Sequence, residues 1–437
     1  MTARAYCAID FGTSNSAVAL PSQGGSGVAL VALEGAHTGM PTAVFYAVEG
    51  LAAHQMPQRL YGRAAIAAYV EGTEGRLMRS MKSILGSSLV ERSTEVGGGH
   101  GVRYLDVIGS YLRHLKATAE AKAGAPIDHA VIGRPVYFVD DEPERDASAQ
   151  DALSRVAHEV GFTDVRFQYE PIAAAFHHEQ SVNREQTVLV ADIGGGTSDF
   201  SVVRVGPQRR ARLDRRDDIL ANHGVHVAGT DFDRRIELQC ILPLAGYGAA
   251  GPPRSDGAAP REVPSGIYFD LATWHLINTC YTPARVLEHR GMRDWYADER
   301  LHTRLMAILT QRLGHALAAR AEDAKIAVSS APTAPIDLQA VEPGLAVLLR
   351  DTQAMAAIAA DRERIVSAAR EALVQAGLQH GQLDAMYFTG GSTGLAPLVQ
   401  AIAAVAPQAQ LLRGDRFASV ATGLGVYARR VFDVSPA

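Results

Sequence analysis

A chain of 437 residues is long enough for two or more domains with cores of their own, and 47% hydrophobic with 20% charged residues is the balance of a globular protein. A formal net charge of −5 gives no basic footprint, and no apolar run reaches membrane-spanning length, so neither nucleic acid nor a membrane is an expected partner. Cys7, Cys240 and Cys280 lack metal spacing and read as small buried hydrophobes of a reducing compartment; no signal peptide precedes the first strand, and a cytoplasmic location is expected.

In chain order, Ala5–Leu20 reads as an apolar strand ending in Asp10, a turn of glycine and hydroxyls (Gly12-Thr13-Ser14), and a second apolar strand. Val28–Leu33 and Thr42–Val48 are further strands, and Ala64–Val70 is helical in composition. Arg79–Gly86 is a short helix or turn, Val90–His100 a polar surface excursion, and Asp106–Lys122 a helix by its apolar spacing. Ala130–Phe138 is a buried strand interrupted by Pro135; Ala147–Val160 and Ile172–His178 are helices. Val188–Val205 holds two β-branched strands around Asp192-Ile-Gly-Gly-Gly-Thr-Ser-Asp199, and Pro207–Asp217 is a basic, polar turn between exposed strands. A helix over Phe232–Leu242 opens at Gly229, Tyr247–Pro264 is a mobile insertion rich in Gly and Pro, and Trp274–Ala331 is mostly helical. Ile336–Leu338 and Leu345–Leu349 resemble strands, and Arg362–Ala376 is a helix. Ala385–Thr393 is a third strand leading into a glycine turn, and helices near Pro397–Val405 and over Ser419–Arg430 close the chain.

The two aspartate–glycine hairpins carry the chemistry. Gly194-Gly-Gly196 allows φ > 0 and removes the Cβ atoms that would keep a ligand away, so successive backbone N–H groups can face a phosphate. Asp192 and Asp199 would repel that phosphate unless a cation lay between, and Mg²⁺ is the usual one. Asp10-Phe-Gly-Thr-Ser repeats the device, which suggests a duplicated lobe with a nucleotide clasped between the copies. No Gly-Lys pair exists, so a P-loop is excluded, and no Gly-x-Gly-x-x-Gly follows a strand. Lysine occurs only at positions 82, 116, 122 and 325, which draws notice to Lys82 and Lys325 as places where a compact point charge is kept.

In order, these motifs resemble the sugar-kinase, heat-shock-chaperone and actin superfamily: Asp10–Ser16 is similar to its first phosphate loop, Asp192–Asp199 to its second and Tyr387–Thr393 to its adenosine loop. Ile132–Phe138, Tyr169–Ala175, Gly229–Asp233, Glu322–Ser330 and Gly390–Thr393 narrow the resemblance to the DnaK, or seventy-kilodalton heat-shock, family. Gly206-Pro-Gln, Arg212–Arg215 and Phe417–Val420 resemble its short bacterial YegD-type branch.

The resemblance implies an α/β fold of two ribonuclease-H-like lobes around a nucleotide cleft, lobe one being residues 1–186 completed by 412–437. Lobe two would be 187–411, with an inserted subdomain at about 230–331. It implies ATP or ADP with Mg²⁺: Gly12, Thr13, Ser14, Gly194, Gly195, Gly196 and Thr197 on the phosphates, Asp10 and Asp192 on the hydrated ion, Glu170 and Asp199 placing waters, and Lys82 as the catalytic lysine. Gly229, Glu322, Lys325, Ser329, Gly390, Gly391 and Ser392 would meet the adenosine. Pro135 matches the family's switch proline, and Arg145 is the candidate for its arginine. Three departures stand out. The stretch Val139–Ala149 is longer than the family's, so the resemblance fixes no place for the switch arginine. Gly394-Leu395 stands where the family has its adenine-stacking arginine, and no linker, peptide-holding β-sandwich or lid is expected after Ser419–Arg430, so any client would bind the lobes themselves or a separate partner would supply the substrate site. The expected function is slow ATP hydrolysis with lobe closure as output, in a chaperone-like protein whose partner is unnamed. A small-molecule kinase, an actin-like filament protein and a pseudo-ATPase scaffold remain open on fold alone.

Overall fold

The computed structural model describes residues 5–22, 27–51, 55–87, 89–97, 99–139, 142–256, 258–379, 381–414 and 418–433. Phe417 of the last motif and the residues after 433 lie outside them.

Both hairpins form as their sequences require. Tyr6–Phe11 pairs antiparallel with Asn15–Pro21, and Gln186–Ile193 with Ser198–Val205, in each case across the glycine turn. Each is the centre of a mixed sheet. The first runs Val28–Leu30, Asn15–Pro21, Tyr6–Phe11, His129–Arg134, Asp164–Tyr169, with Gly39–Pro41 also on the Asn15–Pro21 strand. The second runs Ile219–Val225, Ser198–Val205, Gln186–Ile193, Ala385–Thr389, Gln410–Arg413. In both, the first three strands are antiparallel and the last two run parallel to the aspartate-bearing strand. The strand order and sense therefore occur twice, as the duplicated hairpin predicts.

Helices supply the apolar faces. Tyr104–Ala123 and Pro143–Val160 bury Leu112 and Leu153 with Ile9, Val18 and Ile132 of the first sheet. Glu170–Ser181 and Ser419–Phe432 share one core with both sheets: Ala8, Ala19 and Val131 of the first, Val188, Val203 and Tyr387 of the second, and Ala174, Phe176, Leu424 and Ala428 of the helices. Accordingly one compact unit holds residues 1–225, 368–393 and 403–437. A second unit, 226–367 with 394–402, has its own core of Leu242, Tyr268, Leu305, Leu317, Ile336 and Leu349 around the Gly314–Val328 helix and a Thr333–Asp337/Ala346–Arg350 hairpin. Among the described residues no helix is long and apolar enough to cross a membrane.

Several elements differ from their sequence expectation. The expected strand through Pro135 ends at Arg134, because proline biases its predecessor to extended backbone and then removes a ladder donor. The following helix begins at Pro143, where the missing N–H costs nothing. Ser93–Gly97 and His100–Arg103 form a hairpin that starts in the expected surface excursion and runs past its end at His100. The helix that opens at Gly229 stays α-helical only to Ile236, then widens to a π turn over Glu237–Ile241. The Tyr247–Pro264 insertion is closed at its base by an Ala250–Glu262 bridge and a buried Val263. The strand before the basic turn, Ser198–Val205, is mostly buried rather than exposed, and within the turn Arg215 is 1% exposed and Arg209 8%.

Candidate functional site

Asp10 and Asp192 lie near the ends of the two central strands, within the first unit. The first turn is held from behind. Thr42 Oγ1 donates to Gly12 O (2.8 Å) and shares a hydrogen bond with Ser16 Oγ (2.8 Å), both hydroxyls being buried, and Tyr111 OH donates to Pro41 O at 3.0 Å. A Cβ on Gly12 would stand 2.2 Å from Asn15 O, so the turn closes only around glycine. Ser16 closes the Asp10–Ser16 motif without a role of its own, and Thr42 carries no spacing signal, since a hydroxyl in an apolar strand gives none.

In the second turn, Gly194 N–H donates to Thr197 O (3.0 Å), and Asp192 pairs across the hairpin with Asp199. Gly194 and Gly196 are not in the left-handed region, contrary to the expectation that φ > 0 explains them; a Cβ on Gly196 would meet no protein atom within 4 Å. Open space beside that residue is what an approaching ligand needs. The positive φ falls in the third turn, at Gly390 (φ 86°), where a Cβ would lie 2.4 Å from Ile193 O and 2.6 Å from Asp192 Oδ1. Ser392 Oγ donates to Gly194 O at 2.8 Å and Thr393 Oγ1 to Gly390 O at 2.7 Å, so the second and third turns are joined directly. Across from Asp199 stands Gly224, where a Cβ would approach Asp199 Oδ1 to 2.5 Å; its lack of a side chain leaves room for the carboxylate.

Lys82 sits on a single 3₁₀ turn, Met81–Ile84, entered through Ser80 at φ 53°. It is 7% exposed, and its ammonium pairs with Glu170, in the first turn of the Glu170–Ser181 helix, where the helix dipole favours an acid. Burial, with the carboxylates of Glu170 and Asp192 nearby, pushes the Asp10 carboxyl well above its ordinary range, Lys82 pulling the other way. Asp192 is pushed up to about 7 by burial, Asp199 and Glu170, again opposed by Lys82. Both aspartates keep partial solvent access. Four carboxylates thus surround one ammonium, a set that lacks positive charge. Among the described residues no group of three or more His, Cys, Asp or Glu side chains is arranged to hold a metal by itself. Mg²⁺ keeps most of its waters and takes one or two carboxylates with substrate phosphates, and Asp10 and Asp192 beside the glycine turns are such a pair. The donor set and the open glycine turns therefore fit a magnesium–polyphosphate group.

The residues expected at the adenosine divide between the units. Gly390, Gly391 and Ser392 lie in the first; Gly229, Glu322, Lys325 and Ser329 lie in the second. There, Lys325 Nζ pairs with Asp233 Oδ1 (2.7 Å) and donates to Gly229 O (3.2 Å), Glu322 is exposed, and Ser329 Oγ bonds back to Ile326 O (2.6 Å). Arg145 is exposed, paired with Glu142 and donating to Gly86 O at 2.5 Å.

A duplicated α/β sheet with paired glycine turns over opposed aspartates defines the two-lobed actin-like ATPase fold. Comparison with known proteins narrows this. The family profile described as Hsp70 protein matches residues 6–240, more than half of the chain. A chaperone protein DnaK of Akkermansia muciniphila is 31% identical over 252 residues, covering 52% of this chain and 35% of that protein. The chain belongs to the Hsp70 family. Its matched part spans about a third of the length of that relative.

Proposed function

We propose that this protein binds Mg-ATP and Mg-ADP and hydrolyses ATP slowly, with closure of its lobes as the output, as a chaperone-like regulatory ATPase acting in the cytoplasm with a protein partner. The lobes on this reading are residues 1–186 with 412–437, and 187–411. The observation that carries it is the meeting of Asp10, Asp192, Glu170, Asp199 and Lys82 beside glycine turns in a chain of the Hsp70 family.

Phosphoryl transfer asks mainly for positioning and charge compensation. Backbone N–H groups of Gly12, Thr13, Ser14 and Gly194–Thr197 would hold the phosphates. Asp10 and Asp192 would hold Mg²⁺ through its waters; when bound, the ion offsets phosphate charge. Lys82 would face the transferred phosphoryl group, while Glu170 holds its ammonium in place and, with Asp199, orients water. Gly390, Gly391, Ser392, Gly229, Glu322, Lys325 and Ser329 would contact the adenosine.

The test uses Gly196→Val. An added Cβ there meets no protein atom within 4 Å, so the variant should fold normally while filling the phosphate's space. Calorimetry should show Mg-ATP binding in the wild type and a loss of about a hundredfold or more in the variant, the scale of several charge-assisted hydrogen bonds. Equal affinity in the two proteins would refute the phosphate assignment.

A further inference from the structure

Arg134 is 6% exposed and ends the His129–Arg134 strand immediately before Pro135. Its guanidinium is used on every side. Nε donates to Pro135 O (3.1 Å), Nη1 to Gln150 Oε1 (2.5 Å), and Nη2 to Val136 O (3.2 Å) and Asp146 Oδ2 (2.7 Å). The same group lies over the rings of Phe138 (5.3 Å) and Tyr169 (5.1 Å). Asp146 completes the knot by accepting from Phe138 N–H at 2.6 Å. A planar fork with donors on three edges and two usable faces is what only arginine offers.

This knot reaches residues that flank Lys82 and Glu170 in the chain, Gly86 on one side and Tyr169 on the other. Tyr169 is opposite Arg134 in the parallel ladder and directly precedes Glu170. The preceding residue, Gly133, leaves room for Glu170: a Cβ there would crowd Glu170 Cγ at 3.2 Å and Oε1 at 3.3 Å. On the other side, Gly86, just past the turn that carries Lys82, packs against Phe138–Val139, where a Cβ would meet Val139 Cγ2 at 2.3 Å and Phe138 O at 3.1 Å. The segment that Arg134 ties down thus backs the end of the lysine turn at Gly86, while Arg134 itself and the neighbouring Gly133 back Tyr169 and Glu170 at the start of the glutamate helix.

We propose that Arg134 is a positioning residue for the Lys82–Glu170 pair: it binds Pro135–Phe138, the start of the Pro143–Val160 helix and the Tyr169 ring into one support. Through that support it sets where Glu170 holds the Lys82 ammonium. The inference rests on the ATPase reading above for its catalytic consequence, and on contacts within the first unit for its structural one. Arg134→Lys keeps a cation for Asp146 but loses the fork and the stacked plane; Tyr169→Leu removes the ring from the other side.

The test measures kcat and KM for Mg-ATP, and amide hydrogen exchange without nucleotide, in wild type, Arg134→Lys and Tyr169→Leu. Arg304→Lys, a comparably bonded arginine of the second unit, is the control. Both first-unit variants should lower kcat about tenfold or more with KM nearly unchanged, the signature of a misplaced group rather than a lost binding contact. Exchange should quicken at residues 82–86 and 168–172 and not throughout the chain, and Arg304→Lys should do neither. Wild-type kcat together with wild-type exchange in Arg134→Lys would overturn the proposal, and so would faster exchange everywhere, which marks a general structural role. If the wild type neither binds nor turns over Mg-ATP, the ATPase reading fails, and local against unchanged or global exchange still decides whether Arg134 supports the pair.

Discussion

The Lys325–Asp233 pair is a lysine and an aspartate whose mutual charge depends on pH. Burial is the main cause that lifts the Asp233 carboxyl from 3.8 to about 6; Lys325 lowers it, and Glu322 and Asp231 raise it. A carboxyl raised on folding contributes stability that is full below its unfolded pKa and is lost as pH climbs through the folded value. For Asp233 that loss falls between about pH 4 and pH 6. Lys325→Met removes the opposing charge and lifts Asp233 further, carrying the loss to higher pH. Thermal denaturation should show a small gap between variant and wild type at pH 5 and a larger one at pH 8, by about 1–3 kcal/mol. An equal gap at both would show that Asp233 stays ionised without its lysine. Such pairings are only half legible in sequence. The scarcity of lysine singled out Lys82 and Lys325, and each does hold a carboxylate. Arg215 was marked only as part of the Arg212–Arg215 resemblance, with no pairing implied, in a charged stretch that reads as solvated. It is instead fully buried against Glu179 and Asp218, under the Phe176 ring, because those acids come from a helix and a turn that only tertiary folding brings together.

At the scale of elements, the Glu170–Ser181 and Ser419–Phe432 helices cross where Gly423 faces Ala173. A Cβ on Gly423 would sit 1.9 Å from Ala173 O, a backbone atom that cannot swing aside. Gly423→Ala should therefore cost about 1–3 kcal/mol or more, as overpacking does, and lower the urea midpoint of the first unit. An unchanged midpoint would mean that the two helices are free to separate. Helices and hairpins with long apolar runs were legible: Tyr104–Ala123 and both aspartate hairpins lie within a few residues of their expected places, and Gly314–Val328 lies in the stretch expected to be mostly helical. Asp164–Tyr169 and Gln410–Arg413 were not expected. Both are edge strands: Asp-Val-Arg-Phe-Gln-Tyr alternates strictly and carried a strand signal that went unread, whereas Gln-Leu-Leu-Arg is too short to alternate and its pairing is imposed by the parallel neighbour. The three glycine turns were legible as turns, but their reasons differ in detail: open space at Gly196, and a left-handed backbone against Ile193 at Gly390.

For the whole molecule, the repeated sheet order explains why one mechanism needs residues so far apart in sequence. Each copy brings an aspartate and a glycine turn to an equivalent strand end, and the two helices packed with both sheets tie the copies into one unit. The central claim is that this unit uses Lys82, held by Glu170, to turn over ATP. Single-turnover release of phosphate from saturating Mg-ATP, by wild type and by Lys82→Ala, tests it most directly. The wild type should release phosphate, and Lys82→Ala should do so about a hundredfold more slowly, the scale on which a single electrostatic contact to developing charge acts, with its Mg-ATP affinity within a few-fold of wild type. Equal release rates in the two proteins, or no release from the wild type, would contradict it.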